Sequence, residues 1–183
     1  IQYVENSAEV YQLIADVISS KRHTDVIEEL AVTDVVQEAK RLGLFLDFEH
    51  EALELLLSRV YPLEPTTLYL LPRLCARVAQ NERTIFTFLY QLSLLQPVGP
   101  EVLYEYFSTT MQSDTTVGGT YRQWLETQSA LTKIGNDQEA SKVIKTATLL
   151  GFGSTGERAR ASYDLLMFAL KGYSHENKHE EVV

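Results

Sequence analysis

The longest apolar stretch of the sequence, residues 61–95, limits the possible folds most strongly. Its apolar side chains recur every three or four residues, which is the spacing of a helix with one buried face. Pro65 suits the first position of a helix, and Pro72 is expected to kink that helix or to start a new one. The same spacing continues on both sides, and alternating strand patterns are absent. The sequence therefore predicts an all-α fold.

The helices are expected to form two groups. A central bundle is built on the apolar stretch and occupies residues 1–107, and a smaller helical subdomain occupies residues 121–183. Between them, residues 108–120 are poor in apolar side chains and read as a flexible loop. No internal repeat stands out in the sequence.

Charge and cysteine content exclude several classes of protein. The 183 residues carry a formal net charge of −9, which opposes binding to a phosphate backbone, so nucleic acid is not the expected partner. Cys75 is the single cysteine, which excludes an internal disulfide and fits a reducing, cytoplasmic location. No apolar run is long enough for a membrane span. The chain begins without methionine, and we expect it to be part of a longer protein.

Three sequence patterns resemble functional sites but lack essential parts. His175 and His179 have helical spacing but lie in a polar tail, so no metal site is predicted. Residues 151–156 match G-x-G-x-x-G, yet a dinucleotide-binding turn also needs flanking parallel strands. In the same run Glu157 and Arg158 replace the lysine and hydroxyl residue of a P-loop. We therefore predict that this chain alone is not an enzyme, with a Rossmann oxidoreductase as a remote alternative.

Three arginines stand out because they lie within the apolar stretch. They are Arg73, Arg77 and Arg83, and the first two are one helical turn apart. Arginine suits phosphate because its planar guanidinium donates two hydrogen bonds at once. The competing interpretation is that the arginines pair with the acidic helices of residues 25–54, whose own charges are best explained as solvated faces.

Part of this stretch resembles a segment of very large bacterial P-loop ATPases of phage defence and DNA restriction, the ATP-binding proteins of BREX-type and phosphorothioation-dependent systems. The resemblance covers about 30 residues. It consists of Y-P-L-x-P-x-T at 61–67, L-P-R-L at 71–74 and A-Q-N-E-R-[ST]-[LI]-F-x-F-L at 79–89. The sequence departs from this pattern at Glu64, where the family usually has histidine.

The resemblance implies a non-catalytic helical lid that follows the ATPase core and couples nucleotide state to a neighbouring module. It also implies a winged-helix-like second subdomain. ATP and magnesium would belong to the parent protein, whose remainder is the expected partner, and self-association is a further option. An arginine near the γ-phosphate is expected, with Arg83 as the first candidate, Arg73 as the second and Arg77 as the third.

Two other functions stay open. The first is a helical protein-interaction module without a nucleotide role, which predicts that the three arginines are ion-paired within the fold. The second is a helix-turn-helix nucleic-acid-binding module over residues 138–172. Its positive charge would come from Lys142, Lys145, Arg158 and Arg160.

Overall fold

The computed structural model describes residues 7–22, 32–79, 83–153 and 162–173. These residues form helices connected by turns, which confirms the predicted all-α class. The helices are α1 (Ser7–Lys21), α2 (Val32–Arg41), α3 (His50–Val60), α4 (Pro65–Leu74), a π-helix (Cys75–Ala79), α5 (Arg83–Gln91), α6 (Pro100–Ser113), α7 (Tyr121–Ile134), α8 (Gln138–Gly153) and α9 (Tyr163–Lys171). In these ranges no helix has both the length and the apolar character to cross a membrane.

Helix α4 lies at the centre of the core, as the apolar stretch predicts. Every residue from Pro65 to Leu71 is buried, and Leu74 is buried as well. The helix packs against α1, α6, α8 and α9. Burying one large aliphatic side chain stabilises a fold by roughly 1.5–3 kcal/mol, so this fully covered helix contributes a large share of the hydrophobic stabilisation.

The beginnings of α4 and α6 are joined side by side by backbone hydrogen bonds. Leu63 and Val98 form an isolated parallel bridge. The Glu64 amide donates to the Val98 carbonyl at 3.1 Å, and the Val98 amide donates to the Pro62 carbonyl at 2.9 Å. The two helices therefore start next to each other and present their amide ends at the same place.

The two bridged segments have matching sequences, P-x-x-P-x-x-L-Y, at residues 62–69 and 97–104. In each of them the second proline begins a helix, where its missing amide hydrogen removes no hydrogen bond. The expectation that the chain has no internal repeat overlooked this short one. The four shared positions are too few to stand out until the structure pairs them.

The loop predicted at 108–120 is shorter than expected, because α6 continues through Ser113. Phe107 and Met111 are one turn apart on this helix and both are buried, so the apolar face extends into the predicted loop. Residues on both sides of the loop contribute to one hydrophobic cluster, in which α4 packs against α8 and α9. The division into two subdomains stays a prediction from the sequence.

The structure also excludes the parallel strand that a Rossmann turn requires before its glycines. Residues 143–150 belong to α8, whose helix continues to Gly153. The apolar run that resembles a strand is half of an amphipathic helix, with Leu149 and Leu150 in the core. The rest of the glycine motif lies outside the described residues.

Candidate functional site

Arg73 has a structural role between α1 and α4. Its Nη1 donates to the Tyr69 carbonyl at 2.8 Å and to the Tyr11 hydroxyl at 2.5 Å. The guanidinium carbon also lies 3.6 Å from the centre of the Tyr69 ring, in cation–π geometry. Burial raises the pKa of Tyr11 to about 12, against the lowering effect of Arg73. Because Nη1 and the face of the guanidinium are engaged within the fold, Arg73 is a weaker candidate than Arg77 for an outside anion.

Arg77 lies in the π-helix that follows α4, and it points to a different partner. Its guanidinium carbon lies 5.3 Å from the centre of the Phe152 ring, at the end of α8, while the residue is exposed. The ion pairs among the described residues all involve other side chains. Within the described part of the chain, Arg77 therefore has an aromatic support and no carboxylate partner.

The π-helix explains why the two arginines separate. In a regular α-helix, residues four apart share one face. Pro72 has no amide hydrogen, and the Cys75 amide donates to both the Leu71 and Pro72 carbonyls where the wider turn begins. Arg73 contacts Tyr11 on α1, whereas Arg77 lies near Phe152 at the end of α8. The sequence favours one shared face for these two residues only if a regular α-helix continues after Pro72, and here a π-helix follows at Cys75.

Arg83, the first candidate from the resemblance, begins α5 and is exposed. Its backbone carbonyl accepts the Thr87 hydroxyl at 3.0 Å. It does not line the groove described below. Its neighbours Asn81 and Glu82 lie outside the described residues, so the role predicted for Arg83 stays a prediction. Four other residues that the sequence analysis considered also lie outside them: Arg158, Arg160, His175 and His179.

An open groove of about 490 Å³ lies beside Arg77. Its size falls in the range of small-molecule sites. The other side of the groove is formed by the 114–120 loop and the first turn of α7. The lining residues are Arg77, Asp114, Thr115, Thr116, Gly118, Gly119, Tyr121, Arg122 and Gln123.

Asp114 fixes the loop that forms this wall. Its Oδ1 accepts the Thr116 hydroxyl at 2.7 Å, and its Oδ2 accepts the Thr120 amide at 2.8 Å and the Thr120 hydroxyl at 3.1 Å. These hydrogen bonds, with Thr116 first, lower the pKa of Asp114. Gly119 is needed because a Cβ there would lie 2.5 Å from the Asp114 carbonyl oxygen. The Asp114 charge is thus engaged inside the loop.

Two arginines and one carboxylate line the groove, and one of the arginines has an ion-pair partner. Arg122 donates from Nε to Glu126 at 2.9 Å, and both side chains are largely exposed. Such an exposed pair contributes little and exchanges readily. Arg122 is paired with Glu126, and the Asp114 carboxylate is hydrogen-bonded within its own loop, so among the described residues the guanidinium of Arg77 is the lining cation that has no ion-pair partner.

A second polar cluster, with the buried Glu64 at its centre, lies where α4 and α6 begin. Glu64 is 8% exposed, and its carboxylate accepts the Tyr173 amide at 2.9 Å. Glu101 and Lys142 lie close enough to act on it electrostatically, and they pair with each other at 3.9 Å. Burial raises the pKa of Glu64 to about 7, against the lowering effects of the Tyr173 hydrogen bond and of Lys142. This carboxylate holds the end of α9 and does not line the groove.

The two lysines proposed for a helix-turn-helix module form salt bridges with carboxylates. Lys142 pairs with Glu101, and Lys145 pairs with Glu105. Both pairs connect α8 to α6, so these two lysines are engaged with a neighbouring helix, which weighs against a role for them at a phosphate backbone. Among the described residues, no group of three metal-binding side chains comes together either.

Comparisons of the chain with family models, with curated proteins and with solved structures give no match. The function is therefore argued from the groove and from the resemblance of residues 61–89. Sequence reasoning included Arg77 among its candidates but missed Asp114, Gly119 and Tyr121. The run of Asp114, two threonines and two glycines is typical of a hydrogen-bonded turn and could have indicated an ordered wall.

Proposed function

We propose that this chain is a non-catalytic helical lid of a larger bacterial ATPase, which couples the nucleotide state to a neighbouring module. The observation that carries the proposal is Arg77, an exposed arginine placed at a groove without a carboxylate partner among the described residues. The resemblance of residues 61–89 to phage-defence and restriction ATPases supports the choice of parent protein.

In this proposal Arg77 takes the position that the resemblance gave first to Arg83 and then to Arg73. A guanidinium near a transferring phosphoryl group stabilises its charge by paired hydrogen bonds. The Phe152 ring limits the orientations of the Arg77 side chain, which reduces the entropy lost when an anion binds. Walker motifs, ATP and magnesium belong to the parent protein, and this chain contributes the arginine.

The first test is a titration of the chain with inorganic pyrophosphate, in which NMR monitors the chemical shifts. We expect shifts at Arg77 and in the 114–123 amides, because charge-assisted hydrogen bonds form there. Arg77→Ala should weaken binding by roughly 10- to 100-fold, the equivalent of the 1.5–3 kcal/mol typical of such bonds. Arg77→Lys should recover part of the affinity, since it restores charge without the planar fork.

Arg41→Ala is the matched control, because Arg41 is an exposed arginine that is already paired with Glu38. It should leave pyrophosphate binding unchanged. If pyrophosphate causes no shifts at millimolar concentration, or binds Arg77→Ala as well as the unmodified chain, Arg77 is not the phosphate contact and the lid proposal fails.

A helical protein-interaction module is the second candidate function. The ion pairs that it predicts for Arg73 and Arg77 are absent among the described residues, but helix α7 favours it. Thr127 is the one buried residue of this 14-residue helix. Helices of globular proteins usually bury an apolar stripe. Trp124 and Leu131 are only partly covered, so α7 has surface left for a partner.

A further inference from the structure

The groove continues into an exposed apolar surface on α7 and the preceding loop. This surface, the α7 patch, consists of Val117, Tyr121 and Leu125. Val117 is fully exposed, Tyr121 is 38% exposed and Leu125 is 49% exposed. Tyr121 and Leu125 are one turn apart on the same side of the helix, and Tyr121 also lines the groove. Apolar and cationic surfaces therefore meet at Tyr121.

Contacts with Trp124, and through it with α6, fix the orientation of the Tyr121 ring in the patch. The Tyr121 ring stacks on Trp124 with 5.9 Å between ring centres and 25° between planes. The Trp124 indole in turn donates to the Ser108 hydroxyl on α6 at 2.9 Å. An aromatic surface that is already ordered loses little entropy on binding, and tyrosine, tryptophan and arginine are enriched among the residues that dominate binding energy.

The charges on the chain and beside the patch indicate which kind of partner could bind there. The chain has a net charge of −9 and repels an acidic segment over most of its surface. Beside the patch, Arg77 has no ion pair with a described carboxylate, since Asp114 in the same groove is hydrogen-bonded to Thr116 and Thr120, and Arg122 has a readily exchanged partner in Glu126. A second copy of this acidic chain would be repelled, whereas a short acidic segment with an apolar side chain matches both surfaces.

We propose that the α7 patch and the Arg77 groove dock an acidic amphipathic segment of a partner protein, and that phosphate competes with this segment for Arg77. An apolar side chain of the segment covers Tyr121 and Leu125, and a carboxylate pairs with Arg77. The inference rests on the proposed function, because competition at one guanidinium is how the lid would release its partner when a nucleotide phosphate arrives.

The test uses a fluorescent synthetic peptide of about twelve residues with leucines on one helical face and glutamates beside them. We expect it to bind the chain, with NMR shifts at the α7 patch, and to be displaced by pyrophosphate. A peptide with glutamine in place of glutamate, and one with serine in place of leucine, should each bind at least about tenfold more weakly, because each lacks one of the two matches.

Variants separate the inference from the proposed function. Leu125→Ser changes a patch residue that does not line the groove, so it should weaken peptide binding by about tenfold or more while leaving pyrophosphate binding intact. Val143→Ser, at a 37% exposed apolar residue of α8 away from the patch, should leave both unchanged. Arg77→Ala should weaken the binding of both the peptide and pyrophosphate.

Three results would overturn the inference: equal binding of the glutamine peptide, failure of pyrophosphate to displace the acidic peptide at concentrations at which pyrophosphate binds the chain, or self-association of the chain that Leu125→Ser abolishes. The last result would assign the patch to a second copy. Loss of pyrophosphate binding alone would instead remove the lid function. The two failures are therefore measured separately.

Discussion

Gly172→Ala should lower the free energy of unfolding more than Gly135→Ala, although the two glycines have nearly the same backbone conformation. Gly172 has φ 57° and ψ −130°, and Gly135 has φ 63° and ψ −124°. Each lies directly after a helix in a region that L-residues rarely adopt, so alanine at either position should cost about 1–3 kcal/mol of backbone strain.

The difference between the two sites comes from Glu64. A Cβ at Gly172 would lie 2.0 Å from Glu64 Oε2, whereas nothing lies within 4 Å of a Cβ at Gly135. The carboxylate has little freedom to move, because it is buried and accepts the Tyr173 amide. We expect a further loss of about 1–3 kcal/mol at Gly172, the usual cost of overpacking a core.

Urea unfolding of both variants gives the comparison. Equal losses of unfolding free energy in the two variants would show that Glu64 moves aside at little cost. If Gly172→Ala loses more, as we expect, combining it with Glu64→Ala should recover part of that loss, because the double change removes the group that the new methyl meets.

Stability should fall as pH rises from about 4.5 to 7, and Glu64→Gln should remove this fall. The folded protein raises the pKa of Glu64 from 4.5 to about 7, since burial disfavours the charged form. Such a group contributes its full stabilisation below its unfolded pKa and loses it as pH rises through the folded pKa. A shift of this size corresponds to about 3 kcal/mol.

The measurement is the urea midpoint between pH 4 and pH 8 for the unmodified chain, Glu64→Gln and the control Glu139→Gln, which changes an exposed acid in the first turn of α8. At pH 8 we expect Glu64→Gln to be the most stable. Asp114 has a lowered pKa, so its effect lies in the acid range below this window. Parallel profiles for Glu64→Gln and the unmodified chain would contradict the prediction.

Local sequence patterns were sufficient to predict the all-α fold class and the buried central helix. The spacing of apolar residues identified α4 as a buried helix. Cys75, directly after α4, lies in the same core, where burial raises the pKa of its thiol to about 12. These features depend on neighbours within a few turns. Phe107 and Met111 show the limit of the approach, because polar residues around them hid the end of α6.

The groove could not be assembled from the sequence, since it depends on contacts between distant segments. Arg77 is oriented by Phe152, which lies at the end of α8, beyond three further helices of the chain. Asp114 lies in a run that reads as an unstructured loop until its hydrogen bonds to Thr116 and Thr120 are known. Glu64 likewise reads as an ordinary surface acid, and its burial depends on Tyr173 at the other end of the described chain.

The π-helix at Cys75–Ala79 has a consequence for how this site would persist or disappear during evolution. A wide turn of this kind is one residue longer than the α-helical turn that it replaces. Deletion of a single codon between Pro72 and Arg77 would allow a regular helix and leave the contacts of α4 in place, but the guanidinium would swing away from Phe152. A homologous protein with a one-residue gap there should keep the fold and lack the groove.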